Sequence, residues 1–162
     1  MAQNKNKDIK TNAMRILDRE KISYQVITYE CEEFIDGLHC AEITGVNPEE
    51  SFKTLILTGK SEEHYVAVIP VGDEIDFKKF AAAAGEKSVS MLPLKDVTKV
   101  SGYVRGGVSP IGMKKLFTTI IDKKAENFSE IYVSGGRIGS TVRLAPGELL
   151  RAVKGKTADI IL

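Results

Sequence analysis

The sequence predicts one domain of the mixed α/β (α+β) class, in which helices surround a curved, mostly antiparallel mixed sheet. A length of 162 residues suits a single domain with its own core. Segments with strand composition neither alternate regularly with long helices nor cluster apart from them. No linker, repeat or low-complexity segment divides the chain. We therefore expect residues 1–9 to be a flexible N-terminal lead and residues 10–162 to form the domain.

The first third of the chain predicts a helix followed by a strand. Apolar residues from Thr11 to Lys21 recur at helical spacing, and Thr11 or Asn12 can cap the helix. The segment YQVITYE (24–30) has strand composition and alternation. The segment EEFIDGLHCAEITGV (32–46) is ambiguous between a loop and a short helix that ends at Gly45.

The middle third predicts a hairpin and a capped helix. The apolar segments 52–59 and 64–71 are separated by the polar turn KSEE, which is typical of a β-hairpin. A helix follows over 76–85, with Asp76 as its cap and Gly85 as its end.

The remaining segments continue the mixed pattern and end in a short helix and strand. The predicted strands are 88–92, 118–122, 130–136, 141–145 and the terminal ADIIL. The predicted helices begin near Pro93, span 125–128 and span 146–153, the last with Pro146 in its first turn.

Composition and charge exclude several classes of protein. The net charge of +1 argues against a chain coated in positive charge, although it permits a local basic patch. No apolar run approaches the roughly 20 residues that cross a bilayer, so no membrane partner is expected. The polar N-terminus is not a secretory signal, and two cysteines do not make a disulfide framework. These features predict a reduced, cytoplasmic protein.

The few cysteines and histidines do not predict a metal site. Cys31, His39, Cys40 and His64 lack the spacing that holds zinc, and no cofactor motif is present. A nucleophilic pair such as Cys40 with His64 stays open as an alternative, although nothing local marks either residue as activated. Neither a G-x-S-x-G elbow nor a Walker A loop occurs. A nucleophile supplied by the protein is therefore not favoured.

Lys53 and two glycine loops are the features that best suit a binding site. Lys53 begins an otherwise apolar strand, where it is either a solvated strand end or a cation that faces a cleft. RGGVSPIG (105–112), the first glycine loop, and SGGRIG (134–139), the second, offer main-chain N–H groups to an anion. Both are tight turns on the simplest interpretation, but their basic neighbours favour a shared binding mouth for a phosphate backbone. These neighbours are Arg105, Lys114, Lys115, Arg137 and Arg143.

Four segments, in this order and at this spacing, resemble the YbaK/EbsC family. They are SFKTLIL, GYVRGGVSPIGMKK, TIID and EIYVSGGRIG, and the similarity extends over nearly the whole chain. Members of this family are free-standing deacylases of Cys-tRNA(Pro), related to the editing domain of bacterial prolyl-tRNA synthetases. The resemblance implies an editing domain over 10–162 that clears mischarged Cys-tRNA(Pro), with Cys-tRNA(Cys) as a second candidate substrate. It also implies that the substrate's own thiol attacks the ester, without a cofactor or metal.

The resemblance implies roles for nine residues. Lys53 and Gly106 are expected to be catalytic, the lysine through its charge and the glycine through its main chain. The expected substrate-binding residues are Tyr29, Gly107, Ser134 and Gly135. The expected tRNA-binding residues are Lys114, Lys115 and Arg137, which would meet the acceptor end. Prolyl-tRNA synthetase is the implied protein partner.

The second glycine loop departs from the family pattern. Relatives read SGGKRG at this point, whereas here Ile138 replaces a basic residue and Thr141 stands where an aspartate is common. This departure leaves a deacylase for another small amino acid, such as alanine, as an alternative. A non-catalytic module that binds tRNA or a synthetase is another, and a hydrolase that uses Cys40 or His64 on an unrelated ester is a third.

Overall fold

The computed structural model describes residues 10–28 and 47–162, and the predicted mixture of short helices and strands is present. The helices are α1 Asn12–Arg19, α2 Phe77–Ala84, α3 Val97–Ser101 and α4 Pro146–Val153. The strands are β1 Gln25–Thr28, β2 Phe52–Gly59, β3 His64–Pro70, β4 Val89–Met91, β5 Thr118–Asp122, β6 Ile131–Arg137, β7 Ser140–Leu144 and β8 Lys156–Ala158. Short 3-10 turns span Pro48–Glu50, Leu94–Asp96 and Lys123–Asn127. The predicted segment 32–46 lies outside the described residues.

The strands form two sheets that meet at the start of β2. The larger sheet has the order β4-β2-β3-β5-β8, with antiparallel pairs around β2 and parallel pairs on either side of β5. The smaller sheet has the order β1-β7-β6 and is antiparallel. A parallel bridge between Ser51 and Tyr132 links the two sheets. The predicted mixed, mostly antiparallel arrangement is therefore present as two joined sheets.

The two faces of β3 bury different core clusters. Val66 and Val68 belong to the first core cluster, which includes apolar residues of α1, α4, β6 and β7. Tyr65, Ala67 and Ile69 belong to the second core cluster, which Phe80 of α2 covers. Successive side chains of a strand point to opposite faces, and both faces of β3 are apolar because this strand is central and covered on both sides. The core thus fixes the register of β2 and β3, and with it the direction of Lys53.

Local capping explains where the predicted helices begin and end. Thr11 accepts a hydrogen bond from the Met14 N–H, and Asp76 accepts from Lys78 N and Lys79 N. Gly85 ends α2 in the left-handed region with a φ of 77°. Among residues 10–28 and 47–162, no helix has the length and apolar character needed to traverse a bilayer.

Candidate functional site

Lys53 and Ser134 both lie close to the point where the two sheets join. Ser51 bridges Tyr132 in parallel orientation, and Lys53 and Ser134 each lie two residues further along. Because side chains alternate along a strand, both point to the same face. The intervening Phe52 and Val133 are buried in the first core cluster on the opposite face. We call the surface that carries Lys53 and Ser134 the site face.

Thr141 belongs to the same face. It is directly opposite Ser134 in the antiparallel pairing of β6 and β7, and Ile27 of β1 is opposite Thr141 on its other side. Its neighbour Val142 is buried in the core, so Thr141 points away from the core. The position where the sequence departs from the family pattern therefore faces the same space as Lys53.

The ammonium group of Lys53 is available to a ligand. The side chain is half-buried, and among the described residues it makes neither a hydrogen bond nor an ion pair. Lys79 and Lys124, in contrast, pair with Asp159 and Asp73 at 3.1 and 3.2 Å. A half-buried cation that has no partner within residues 10–28 and 47–162 is well placed to attract a phosphate or a developing oxyanion.

The two glycine loops are in direct contact. A Cβ atom on Gly107 would lie 2.7 Å from Arg137 Cα and 2.9 Å from Ile138 N, so the two main chains touch where a side chain would not fit. Gly106 precedes this contact with a φ of 87°. The two loops that the sequence predicts to share a binding mouth are thus in main-chain contact at residues 107 and 137–138.

The second glycine loop contains a register irregularity between Ser134 and Arg137. Ser134 Oγ accepts a hydrogen bond from Gly136 N at 3.2 Å, which orders the irregularity. Gly135 is buried, and its carbonyl oxygen accepts from Thr11 Oγ1. Ser134 therefore lies on the site face, whereas Gly135 connects the loop to the helix behind it.

Sequence reasoning missed the residues that support the first glycine loop. Tyr103 is buried, and its hydroxyl donates to the carbonyl oxygen of Ile111 at 2.7 Å. Burial raises the pKa of Tyr103 to about 12, while Ala13 N–H and the Asn12 side chain oppose this shift. Asn12 Nδ2 also donates to Gly112 O at 2.7 Å. The position of Tyr103 just before the glycine-rich stretch was the sequence signal that could have predicted this support.

The predicted tRNA-binding residues occupy several positions around the loops. Lys114 and Lys115 are exposed, and the methylene groups of Lys114 lie against Gly102. Lys115 borders a cavity of about 80 Å³ that Phe117 and Val153 also line. Arg137 is half-buried at the end of β6.

Of the alternative nucleophiles, His64 lies in the described part of the chain, and it is far from Lys53. Tyr29, Cys31, His39 and Cys40 lie outside the described residues. His64 pairs with Thr58, five residues from Lys53 along β2, which corresponds to roughly 17 Å. Its Nδ1 lies 3.2 Å from Thr58 Oγ1, and its ring packs edge-on against Phe117. His64 therefore belongs to the opposite end of the hairpin from Lys53.

Comparison with known proteins identifies the family. A model of the aminoacyl-tRNA editing domain matches residues 38–152. EbsC of Enterococcus faecalis, named as a candidate Cys-tRNA(Pro)/Cys-tRNA(Cys) deacylase, is 42% identical over 152 residues, which cover 93% of each protein. This chain belongs to the aminoacyl-tRNA editing domain family. The family resemblance carried by the loop and strand motifs is thereby confirmed.

Solved structures share the fold of this editing domain. A candidate trans-editing enzyme for prolyl-tRNA synthetase has a TM-score of 0.80 and 19% identity, covering 96% of this chain and 99% of that one. The hypothetical protein APE2540 has a TM-score of 0.84 and 22% identity, covering 94% and 100%. At these identities the likeness concerns the fold, and the predicted mixed α+β class is confirmed.

The editing domain thus presents three kinds of group near the junction of its two sheets. Lys53 supplies a cation, Ser134 and Thr141 supply hydroxyl groups, and the contacting glycine loops supply main chain without side chains in the way. Within residues 10–28 and 47–162, no cluster of three or more histidines, cysteines or carboxylates has the arrangement of a metal site. The arrangement suits recognition of an ester that carries negative charge nearby.

Proposed function

We propose that this protein is an aminoacyl-tRNA deacylase that clears cysteine from mischarged Cys-tRNA(Pro) in trans, and from Cys-tRNA(Cys) as a second substrate. The observation that carries this proposal is the 42% identity with EbsC over 93% of both chains. The geometry supports it because the Lys53 ammonium has no partner among the described residues and lies on the site face. Cleavage of an aminoacyl ester needs charge stabilisation at this kind of position.

In the proposed reaction the substrate supplies its own nucleophile. The cysteine thiol sulfur attacks the ester carbonyl carbon, and a C–S bond forms as the C–O bond to the ribose breaks. The thiol proton passes to the departing ribose oxygen, so the products are a cyclic thiolactone and uncharged tRNA. The protein contributes by holding the thiol close to the carbonyl, since orienting two groups within one molecule lowers the barrier by several kcal/mol.

The predicted site residues have distinct roles in this proposal. Lys53 holds the terminal phosphate and ribose or the ester oxygen through its charge. The main chain of Gly106 and Gly107 orients the thiol or amino group, and Ser134 borders the bound amino acid from β6. Thr141, opposite Ser134, is the position from which the choice of amino acid is set. Tyr29 completes the pocket in this proposal, although it lies outside the described residues.

The acceptor end of the tRNA is proposed to lie across the basic residues beside the loops. Lys114 and Lys115 are exposed and carry no ion pair among the described residues, so both can meet phosphates. Arg137 adds charge next to Gly107. With a net charge of only +1, affinity for tRNA is limited, which favours action beside prolyl-tRNA synthetase in the cytoplasm.

Single-turnover deacylation tests the proposal directly. We expect fast loss of cysteine from Cys-tRNA(Pro), appearance of the thiolactone, and stability of Ser-tRNA(Pro), which differs only by oxygen in place of sulfur. Lys53→Ala should slow the reaction about 100-fold, comparable to removal of one oxyanion-stabilising donor. Lys60→Ala is the matched control because it removes an exposed lysine just beyond the opposite end of β2.

The other outcomes distinguish the alternatives. Equal clearing of Ala-tRNA(Pro) and Cys-tRNA(Pro) would contradict the thiol mechanism and indicate attack by water, with a specificity altered at Thr141. Binding of the tRNA without turnover of any amino acid would indicate a non-catalytic module. Loss of activity after alkylation of the protein's own cysteines would indicate a hydrolase that uses Cys40.

A further inference from the structure

The first turn of α1 is hydrogen-bonded to both glycine loops. Thr11 Oγ1 donates to the carbonyl oxygen of Gly135 in the second loop at 2.5 Å. Asn12 Nδ2 donates to the carbonyl oxygen of Gly112 in the first loop at 2.7 Å. Two adjacent side chains of one helix terminus thus connect two loops that belong to distant parts of the sequence.

Tyr103 is the third part of this connection. Its hydroxyl donates to Ile111 O at 2.7 Å and lies beside Asn12 at the start of α1. A Cβ atom on Gly136 would lie 3.2 Å from Tyr103 Cε1 and 3.1 Å from Thr11 Oγ1, so the second loop packs directly on both residues. Glycine main chain contributes no side chains of its own, so its position depends on such neighbours.

We propose that Thr11, Asn12 and Tyr103 are positioning residues, which set the distance between the two glycine loops and thereby the alignment of the bound aminoacyl ester. This inference rests on the proposed function, because Gly106 and Ser134 are the groups whose separation it controls. None of the three residues is proposed to touch the substrate. A displacement of about 1 Å at a reacting centre can reduce the rate about 100-fold, so small movements of these loops matter.

Thr11 both accepts one hydrogen bond and donates another, and substitutions can separate these two roles. Its oxygen accepts from Met14 N at 3.2 Å and caps α1, while its hydroxyl hydrogen is donated to Gly135 O. Thr11→Ser keeps both tasks. Thr11→Asp keeps a strong N-cap but has no hydrogen to donate, so it breaks only the connection to Gly135.

Asn12→Asp makes the same distinction at the first loop. A carboxylate in the first turn favours the helix through its dipole, yet it cannot donate to Gly112 O. If these residues serve only helix stability, both aspartate variants should retain activity. If they position the loops, both should lose it.

The experiment measures kcat and KM for Cys-tRNA(Pro), helix content by circular dichroism, and the amide NMR shifts of Gly106, Gly107 and Gly136. For Thr11→Asp and Asn12→Asp we expect kcat to fall about 10-fold or more. Helix content and KM should change little, and the three glycine amides should shift. Thr11→Ser should match the native protein in every measurement. Tyr103→Phe should behave as the aspartate variants do, because it leaves Ile111 O without its donor.

Two results would overturn the inference. One is native kcat in both aspartate variants, and the other is a loss of activity in Thr11→Ser equal to that in Thr11→Asp. An inactive native protein would instead remove the proposed function. In that case the glycine amide shifts still decide whether α1 controls the loops, and their absence in the aspartate variants would refute the coupling.

Discussion

The connections β2–β3 and β6–β7 both join antiparallel neighbours, but they are held in different ways. The β2–β3 turn has main-chain hydrogen bonds, such as the one from Lys60 N to Ser88 O at 3.0 Å, and side chains make its contacts with the end of α2. Tyr65 Oη donates to Glu86 Oε2 at 2.6 Å, and Ser61 donates to the same carboxylate through Oγ and, at 3.3 Å, through its main-chain N–H. These bonds attach the turn to the end of α2.

In the β6–β7 connection, neighbouring residues contact the glycine-rich main chain directly. Gly107 packs on the main chain at Arg137, and Gly135 O accepts from Thr11. The β2–β3 turn can lose one side-chain contact and keep its main-chain hydrogen bonds. In the β6–β7 connection, a side chain added at the main-chain contact would force the loop to move. The two connections should therefore differ in how strongly one added or removed side-chain group disturbs them.

The largest expected effect comes from adding one methyl group at the main-chain contact. Gly107→Ala places Cβ 2.7 Å from Arg137 Cα, and because that neighbour is main chain, the two loops must separate. We expect the rate of Cys-tRNA(Pro) deacylation to fall about 100-fold or more while the protein stays folded. The measurement is single-turnover kinetics together with thermal unfolding.

Gly72→Ala is the matched control for this change. Gly72 is exposed, and a Cβ atom there meets nothing within 4 Å, so both activity and unfolding temperature should stay close to native. Native activity in Gly107→Ala would show that the loop contact does not govern the reaction and would remove the contrast between the two connections.

Most elements that depend on local sequence were predicted correctly, whereas the last strand lies at Lys156–Ala158 rather than over ADIIL and the predicted helix at 125–128 is part of a 3-10 turn. The hairpin at 52–59 and 64–70 follows from two apolar segments around a polar turn. Helix α2 begins at the Asp76 cap and ends at Gly85, and α4 begins at Pro146, as expected from residues within one turn of each boundary. Short-range hydrogen bonding determines these features, so the sequence carries them directly.

The connections between distant segments could not be predicted in the same way. Thr11 and Gly135 are 124 residues apart, yet they share a hydrogen bond. Gly107 and Arg137 likewise contact each other although they belong to distant segments of the sequence. The glycine content predicted that the two loops could bind a ligand, and the family resemblance implied which of their residues would do so. Only the fold shows that α1 supports both loops, since no local pattern encodes it.

A smaller effect, confined to stability, is expected at the side-chain contact. Tyr65 is buried and its hydroxyl bonds to Glu86, which is the first cause that raises its pKa to about 12. Tyr65→Phe keeps the ring against Phe80 and removes only the hydroxyl. We expect the unfolding temperature to fall by a few degrees while deacylation stays unchanged. If Tyr65→Phe lost activity without losing stability, the β2–β3 turn would take part in the reaction. That result would contradict the proposed difference between the two connections.

The smallest effect should appear only as a dependence on pH. Hydrogen bonds from Ser61 and then Tyr65 hold the pKa of Glu86 below its ordinary value of 4.5. Since the folded pKa is depressed, this carboxylate stabilises the fold above the unfolded pKa, and the stabilisation is lost as pH falls through the folded value. Glu86→Gln should therefore melt below the native protein at neutral pH, and the gap should close below pH 4.5.

Glu62→Gln is the matched control for this pH dependence, because it removes the same charge from an exposed position in the same turn. Its unfolding temperature should follow that of the native protein from neutral to acidic pH. A gap between Glu86→Gln and native protein that is constant over this range would mean that the ionised carboxylate does not hold the turn. The contact of Glu86 with the β2–β3 turn would then not depend on charge. The difference between the two connections would be supported by the glycine loops alone.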